Sequence, residues 1–194
     1  VKLAKVEVSK QTIWVAVSDA GAVDLTPVVG SDPRAMHEQL SPDGLRRLAD
    51  FAASRSVDHG AGELTYSPFL PESQKIICVG VNYTNRNEEY RDGSELPKYP
   101  SLFLRSPTSF TGHDSPLVRP RESEQLDYEG ELVLVIGTGG RRIPREQALG
   151  HVAGITLMNE GTIRDWVRHA KFNVTQGKNF DRTGSVGPWM VTSD

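Results

Sequence analysis

The 194-residue chain has a single cysteine, Cys78, so no disulfide can form within it. Its place in the apolar run Ile76-Ile77-Cys78-Val79 is that of a small packed hydrophobe, expected to be buried and unreactive. No apolar stretch reaches the roughly 18 residues that a spanning helix needs, and the sequence shows neither a signal peptide nor a lipidation motif. A cytoplasmic protein with no membrane partner is the expectation. Basic residues are not in excess either: 22 Lys and Arg stand against 25 Asp and Glu, for a net charge of -3. That leaves no positive field for a phosphate backbone, so no nucleic-acid partner is expected. An initiating Met is missing, which suggests a trimmed chain. Hydrophobic residues at 37% and charged residues at 24% are ordinary globular values. The length suits one domain, or one with a small appendage, around a sizeable core. With 18 Gly and 12 Pro, turns should be frequent.

Residues 1–30 alternate in strand fashion, with Val6 and Val8, then Ile13, Val15 and Val17, a turn at residues 18–21, and a return through Val23 and Leu25. Asp32-Pro33 and Ser41-Pro42 each place a capping residue before a proline, and Leu45, Leu48 and Phe51 follow at helical spacing, which predicts two short helices. Residues 54–73, with Gly60, Gly62, Pro68 and Pro71, read as a linker. Two units follow: a small N-terminal α+β domain over residues 1–70 and a larger, largely β domain over residues 71–194. In the second, residues 76–81 read as a buried strand and residues 132–136 as a strand buried on both faces. A polar block at residues 82–90 follows the first of these. Strands are also predicted at residues 102–104, 152–158 and 189–191, helical turns at 144–149 and 162–169, and a turn at Gly187-Pro188.

The stretch Asp127-Tyr128-Glu129-Gly130-Glu131 lies at the mouth of an apolar strand, where carboxylates need partners. Strand alternation puts Glu129 and Glu131 on one face, near enough to share a cation or to repel. The alternative is a solvated acidic pair. Glu160 supplies a third acid at the end of the strand over residues 152–158. Three hard oxygen donors without His or Cys suit Mg²⁺, Mn²⁺ or Ca²⁺ better than Zn²⁺. Lys178, after Gly177, and Arg164 could bind a substrate carboxylate or stabilise a developing enolate beside the metal; the plain alternative for Lys178 is an exposed lysine.

These residues carry a resemblance. Gly80-Val81-Asn82-Tyr83, Tyr99-Pro100-Ser101-Leu102-Phe103, Asp127-Tyr128-Glu129-Gly130-Glu131-Leu132, Gly137, Val152-Ala153-Gly154, Asn159-Glu160, Arg164-Asp165, Lys178-Asn179-Phe180-Asp181 and Gly187-Pro188-Trp189 stand in the order and spacing of the fumarylacetoacetate hydrolase superfamily. From about residue 70 onward the chain resembles that family, in the manner of its 2-hydroxyhepta-2,4-diene-1,7-dioate isomerase-like and acylpyruvate hydrolase-like members. The resemblance implies an α+β, predominantly β fold: a mixed β-sheet roll or barrel behind a small N-terminal domain. It further implies Mg²⁺ on Glu129, Glu131 and Glu160, a 2-oxo or 2,4-dioxo acid substrate, and hydrolysis of a carbon-carbon bond, isomerisation, decarboxylation or hydration, as in aromatic catabolism. The implied catalytic residues are Lys178, Glu89 and Arg86, with Tyr83, Arg164 and Lys178 binding substrate, in a homodimer.

Three departures qualify it. Glu160 stands where the family usually has Asp, one methylene longer but still a ligand for a hard cation. Arg86 occupies a slot where hydrolytic members resemble His, and arginine cannot act as a base. It could instead clamp a second substrate carboxylate. The family's glycine-rich Gly-Thr-Pro segment is not found, so the chain is expected to lack the C-terminal part of the domain. A catalytically silent relative, binding metal or oxo acid or serving as an assembly subunit, is the competing reading.

Overall fold

The computed structural model describes residues 1–70, 73, 75–83, 85, 95, 98–169 and 173–193. The alternating front of the chain forms an antiparallel meander of β1 (Lys2–Val8), β2 (Gln11–Ser18) and β3 (Gly21–Asp24). After α1 (Thr26–Val29), Asp32 accepts a hydrogen bond from the Arg34 amide at 3.0 Å and opens a 3₁₀ turn over Pro33–Gln39. Ser41 does the same for Gly44 at 3.2 Å and starts α2 (Pro42–Ala53). Both predicted helix starts are therefore real. One face of α2 buries Leu45 and Leu48 in a core shared with Leu3, Trp14, Met36 and Phe69.

Short strands β4 (Thr65–Tyr66), β5 (Ile76–Gly80), β6 (Ser101–Arg105), β7 (Phe110–Thr111) and β8 (Leu126–Asp127) lead to the long β9 (Gly130–Ile136). Then come β10 (Val152–Asn159), β11 (Thr162–Ile163), α3 (Arg164–His169), α4 (Thr175–Lys178) and β12 (Gly184–Thr192). The fold is mixed α+β and predominantly β. Its main sheet runs in the order β3-β2-β1-β12-β10-β9, with β4 beside β1 and β7 parallel to β12. The pairs Lys2↔Val191 and Leu3↔Met190 tie the N-terminal meander to the last strand, so the sheet itself crosses residue 70. The division into residues 1–70 and 71–194 stands as a proposal from composition. No helix among the described residues is long and apolar enough to cross a membrane.

Three local expectations are corrected. The strand at residues 132–136 is not buried on both faces: Val133 and Val135 turn inward, while Leu132, Leu134 and Ile136 are exposed. Their cross-strand partners Leu157 and Ile155 are exposed on the same side, because nothing among the described residues covers that face of the sheet. β5 behaves alike, exposing Ile77 and Val79 and leaving Cys78 half-buried. An apolar run specifies what can be buried; only a covering layer buries it. Finally, Gly187-Pro188 is no turn. β12 continues through it, with Gly187 at φ 126° and a shift of register against β10 between Ile155 and Leu157.

Candidate metal centre

The acidic motif sits where two neighbouring strands end. β9 and β10 are antiparallel, so the start of one, at Glu129-Gly130-Glu131, meets the finish of the other, at Asn159-Glu160. The Glu129 amide donates to Asn159 Oδ1 at 3.1 Å, and the Glu160 amide donates to the Glu129 carbonyl at 2.7 Å. Glu131 lies opposite Met158 on the covered face, above a core of Phe110, Met158 and Val186. Gly161 is required at the next position: a Cβ there would come 1.8 Å from the Thr183 carbonyl, closing the approach that brings β12 under the site.

Glu129, Glu131 and Glu160 each present a carboxylate oxygen within 4.8 Å of the other two. Oxygens bound to one hard cation at about 2.0–2.6 Å can be no more than roughly 5 Å apart, so the spacing fits a shared ion. Glu160 is buried, and its Oε1 finds no neutral hydrogen-bond donor among the described residues, only charged neighbours. Lys178 Nζ lies 2.7 Å from it, at the distance of a charge-assisted contact, and Arg105 stands off at 3.7 Å. Burial pushes the carboxyl groups of both Glu160 and Glu131 above the ordinary range, which the neighbouring carboxylates reinforce. The donor set is oxygen only and suits a hard divalent cation.

The other predicted residues divide. Lys178, at the end of α4, is buried and bridges the acids, with Nζ 2.8 Å from Glu129 Oε2. Gly177 lets this short helix sit tightly: a Cβ would meet Val167 at 2.3 Å and the Ile163 carbonyl at 2.8 Å. Arg164 pairs with Asp127 at 2.9 Å and Glu129 at 2.8 Å, so its contacts here are with the acidic motif. Tyr83 is exposed, with its hydroxyl 3.3 Å from the Gly130 carbonyl, on the wall of a cavity of about 340 Å³ shared with Glu131, Leu157 and Asn159. Glu131 and burial together raise the Tyr83 phenol above its usual range. Arg86 and Glu89 lie outside the described residues.

Sequence reasoning missed Thr162, whose Oγ1 donates to Glu129 Oε1 at 2.8 Å, and Arg105, whose side chain is wholly enclosed beside Glu160. The signal for Arg105 was available, since a charge closing an apolar strand needs partners as much as Asp127 does. The acids, expected to need a shared cation or a solvated setting, have protein cations as well. Lys178, Arg105 and Arg164 already lie against Glu129 and Glu160, whereas Glu131 makes no ion pair among the described residues.

Cys78 adjoins this cluster. Burial first, then the negative charge of Glu160, pushes its thiol up to about 12. A thiol reagent at pH 7 should therefore label the native protein roughly a thousandfold more slowly than the same protein in denaturant, scaling with thiolate fraction. Labelling at equal rates would show that the thiol is neither shielded nor suppressed.

Comparison with known proteins agrees with the fold. The fumarylacetoacetate (FAA) hydrolase C-terminal family matches residues 75–194. Oxaloacetate tautomerase YisK of Bacillus subtilis is 38% identical over 155 residues, covering 75% of this chain and 50% of that protein. The mitochondrial oxaloacetate tautomerase fahd2 of Xenopus laevis is 39% identical over 188 residues, covering 94% of this chain and 58% of that one. Among solved structures, the fumarylacetoacetate hydrolase of psychrophilic Exiguobacterium antarcticum superposes with a TM-score of 0.77 at 29% identity, covering 98% of this chain and 66% of that chain. The chain spans about half the length of the curated relatives it matches. One expectation is overturned: the family's C-terminal model matches residues 75–194, so the matched region corresponds to the family's C-terminal catalytic domain. A single missing glycine-rich segment was too narrow a basis for that reading.

Proposed function

The chain belongs to the fumarylacetoacetate hydrolase family, and from that premise we propose a divalent-cation-dependent enzyme that interconverts the keto and enol forms of a small 2-oxo acid bearing a second carboxylate. The observation that carries this is the convergence of Glu129, Glu131 and Glu160 on one another, with the buried ammonium of Lys178 between Glu129 and Glu160. Two relatives named as oxaloacetate tautomerases support the substrate class. Glu129, Glu131 and Glu160 would hold the cation, with Mg²⁺ first and Mn²⁺ or Ca²⁺ as alternatives. Bound there, a divalent cation supplies Lewis-acid polarisation of a keto oxygen.

The chain's own residues supply the rest. Lys178, with little access to water, offers a fixed positive charge to the oxygen that becomes negative as the enol forms. Arg164 and Thr162 hold the Glu129 carboxylate from one side, leaving its orientation fixed. Tyr83 and the cavity beside Glu131 are assigned to the body of the acid. Arg86 is assigned to the second carboxylate, and Glu89 to the proton on the carbon next to the keto group. The homodimer remains part of this proposal.

The test is a set of turnover assays. Loss of enol absorbance from freshly dissolved oxaloacetate should accelerate at least tenfold over buffer with Mg²⁺ or Mn²⁺ present, and fall back with a chelator. Release of pyruvate from oxaloacetate or an acylpyruvate, with no effect on the enol signal, would move the reaction to decarboxylation or hydrolysis. Silence in every assay would favour the catalytically inert relative.

A further inference from the structure

Arg105 closes β6, and its side chain has no solvent exposure. Its guanidinium lies 4.4 Å from the centre of the Phe110 ring and donates to Ser109 Oγ at 3.2 Å, the Gly161 carbonyl at 3.2 Å and Thr183 Oγ1 at 3.4 Å. Ser109 is in turn fixed by donating to the Ser106 carbonyl at 2.7 Å. The fork is thus engaged on three neutral acceptors, one of them the carbonyl of the residue that follows Glu160. A buried arginine beside a buried carboxylate ordinarily forms a two-pronged pair, in which both carboxylate oxygens accept. Here the nearest approach is 3.7 Å, with no hydrogen bond to Glu160 Oε1.

We propose that Arg105 is a positioning residue for Glu160. By gripping the Gly161 carbonyl it sets the backbone from which Glu160 projects, and its charge compensates the buried carboxylate from 3.7 Å without itself bonding Oε1, which faces Lys178 and the neighbouring acids. The inference rests on the metal reading above, and the sign of one measurement separates it from its rivals. A cation that serves only as counter-charge repels a metal ion, so its removal would tighten metal binding. A purely structural residue would lower the melting temperature and leave binding by the folded fraction unchanged. A positioning residue must weaken binding when it is lost.

The experiment is Mn²⁺ titration, read as free Mn²⁺ by electron paramagnetic resonance, with a thermal melt of each variant without metal. Arg105→Lys keeps the charge but cannot hold three separated acceptors, and should weaken Mn²⁺ binding about ten- to a hundredfold, the range for residues that orient ligands. Arg105→Met loses the same grip but also a charge that repels the ion, and should still weaken binding, by less than Arg105→Lys. Should Arg105→Met fail to fold, Ser109→Ala, which frees one prong only, carries the test with a smaller loss in the same direction. Unchanged or tighter binding in folded Arg105→Lys and Ser109→Ala overturns the proposal. Absence of Mn²⁺ binding by the unaltered protein overturns the metal reading itself.

Discussion

Glu131→Gln is expected to abolish divalent-cation binding while leaving the metal-free fold as stable as before or more so. Glu131 is the one acid of the three without an ion pair among the described residues, so its charge can be removed without stranding a cation. Glu129→Gln would take one of two carboxylates from both Lys178 and Arg164, and Glu160→Gln would take one from Lys178 and the nearest one from the enclosed Arg105, so each disturbs an existing ion pair. The sign on stability follows from the direction of the shift. Burial, then the charges of Glu160 and Glu129, raise the Glu131 carboxyl above its ordinary value. A carboxyl raised by folding costs no stability below its unfolded value, and costs progressively more as the pH climbs from there through the folded value. Glutamine avoids that cost at neutral pH. Losing a direct ligand should weaken Mg²⁺ or Mn²⁺ binding by more than about a hundredfold, above the range for outer residues. Isothermal titration paired with metal-free melts reads both. Intact metal affinity would remove Glu131 from the site, and a large drop in melting temperature would make its role structural.

The second large effect concerns Lys178→Met. A buried ammonium between two carboxylates is placed to favour a developing oxyanion over a neutral ketone, so its loss falls on turnover. The expected drop in kcat is roughly ten- to a thousandfold, as for removal of one oxyanion-stabilising donor. Metal affinity should hold or rise, because the variant deletes a positive charge 2.8 Å from Glu129 and 2.7 Å from Glu160. The opposed directions are what mark the role. A parallel fall in kcat and metal affinity would make Lys178 a support for the acids, and an unchanged kcat would remove it from the chemistry.

Much of this site was legible because its parts are local. Glu129 and Glu131 are two residues apart at a strand start, and Glu160 closes the next strand, so a single antiparallel hairpin-like pairing brings them together. Capping chemistry was legible for the same reason, since Asp32 and Ser41 act within three residues of themselves. What failed needed knowledge of layers. The apolar run at residues 132–136 carries no sign of whether one face or two will be covered, and Gly187-Pro188 reads as a turn until β10 is known to run beside it. Arg105 was missed for a related reason: its partners, at Ser109, Gly161 and Thr183, come from three separate parts of the chain. The contacts of Arg164 likewise appear only when α3 is seen to bring it back against Asp127 and Glu129.

The central claim is that Glu129, Glu131 and Glu160 share one divalent cation, and diffraction from a crystal soaked in Mn²⁺, collected for the anomalous signal of manganese, tests it most directly. The expected result is a single peak within about 2.0–2.6 Å of one oxygen from each of the three carboxylates. No peak at saturating Mn²⁺, or a peak elsewhere while Lys178 still bridges Glu129 and Glu160, would show that the acids are a neutralised structural cluster and not a metal centre.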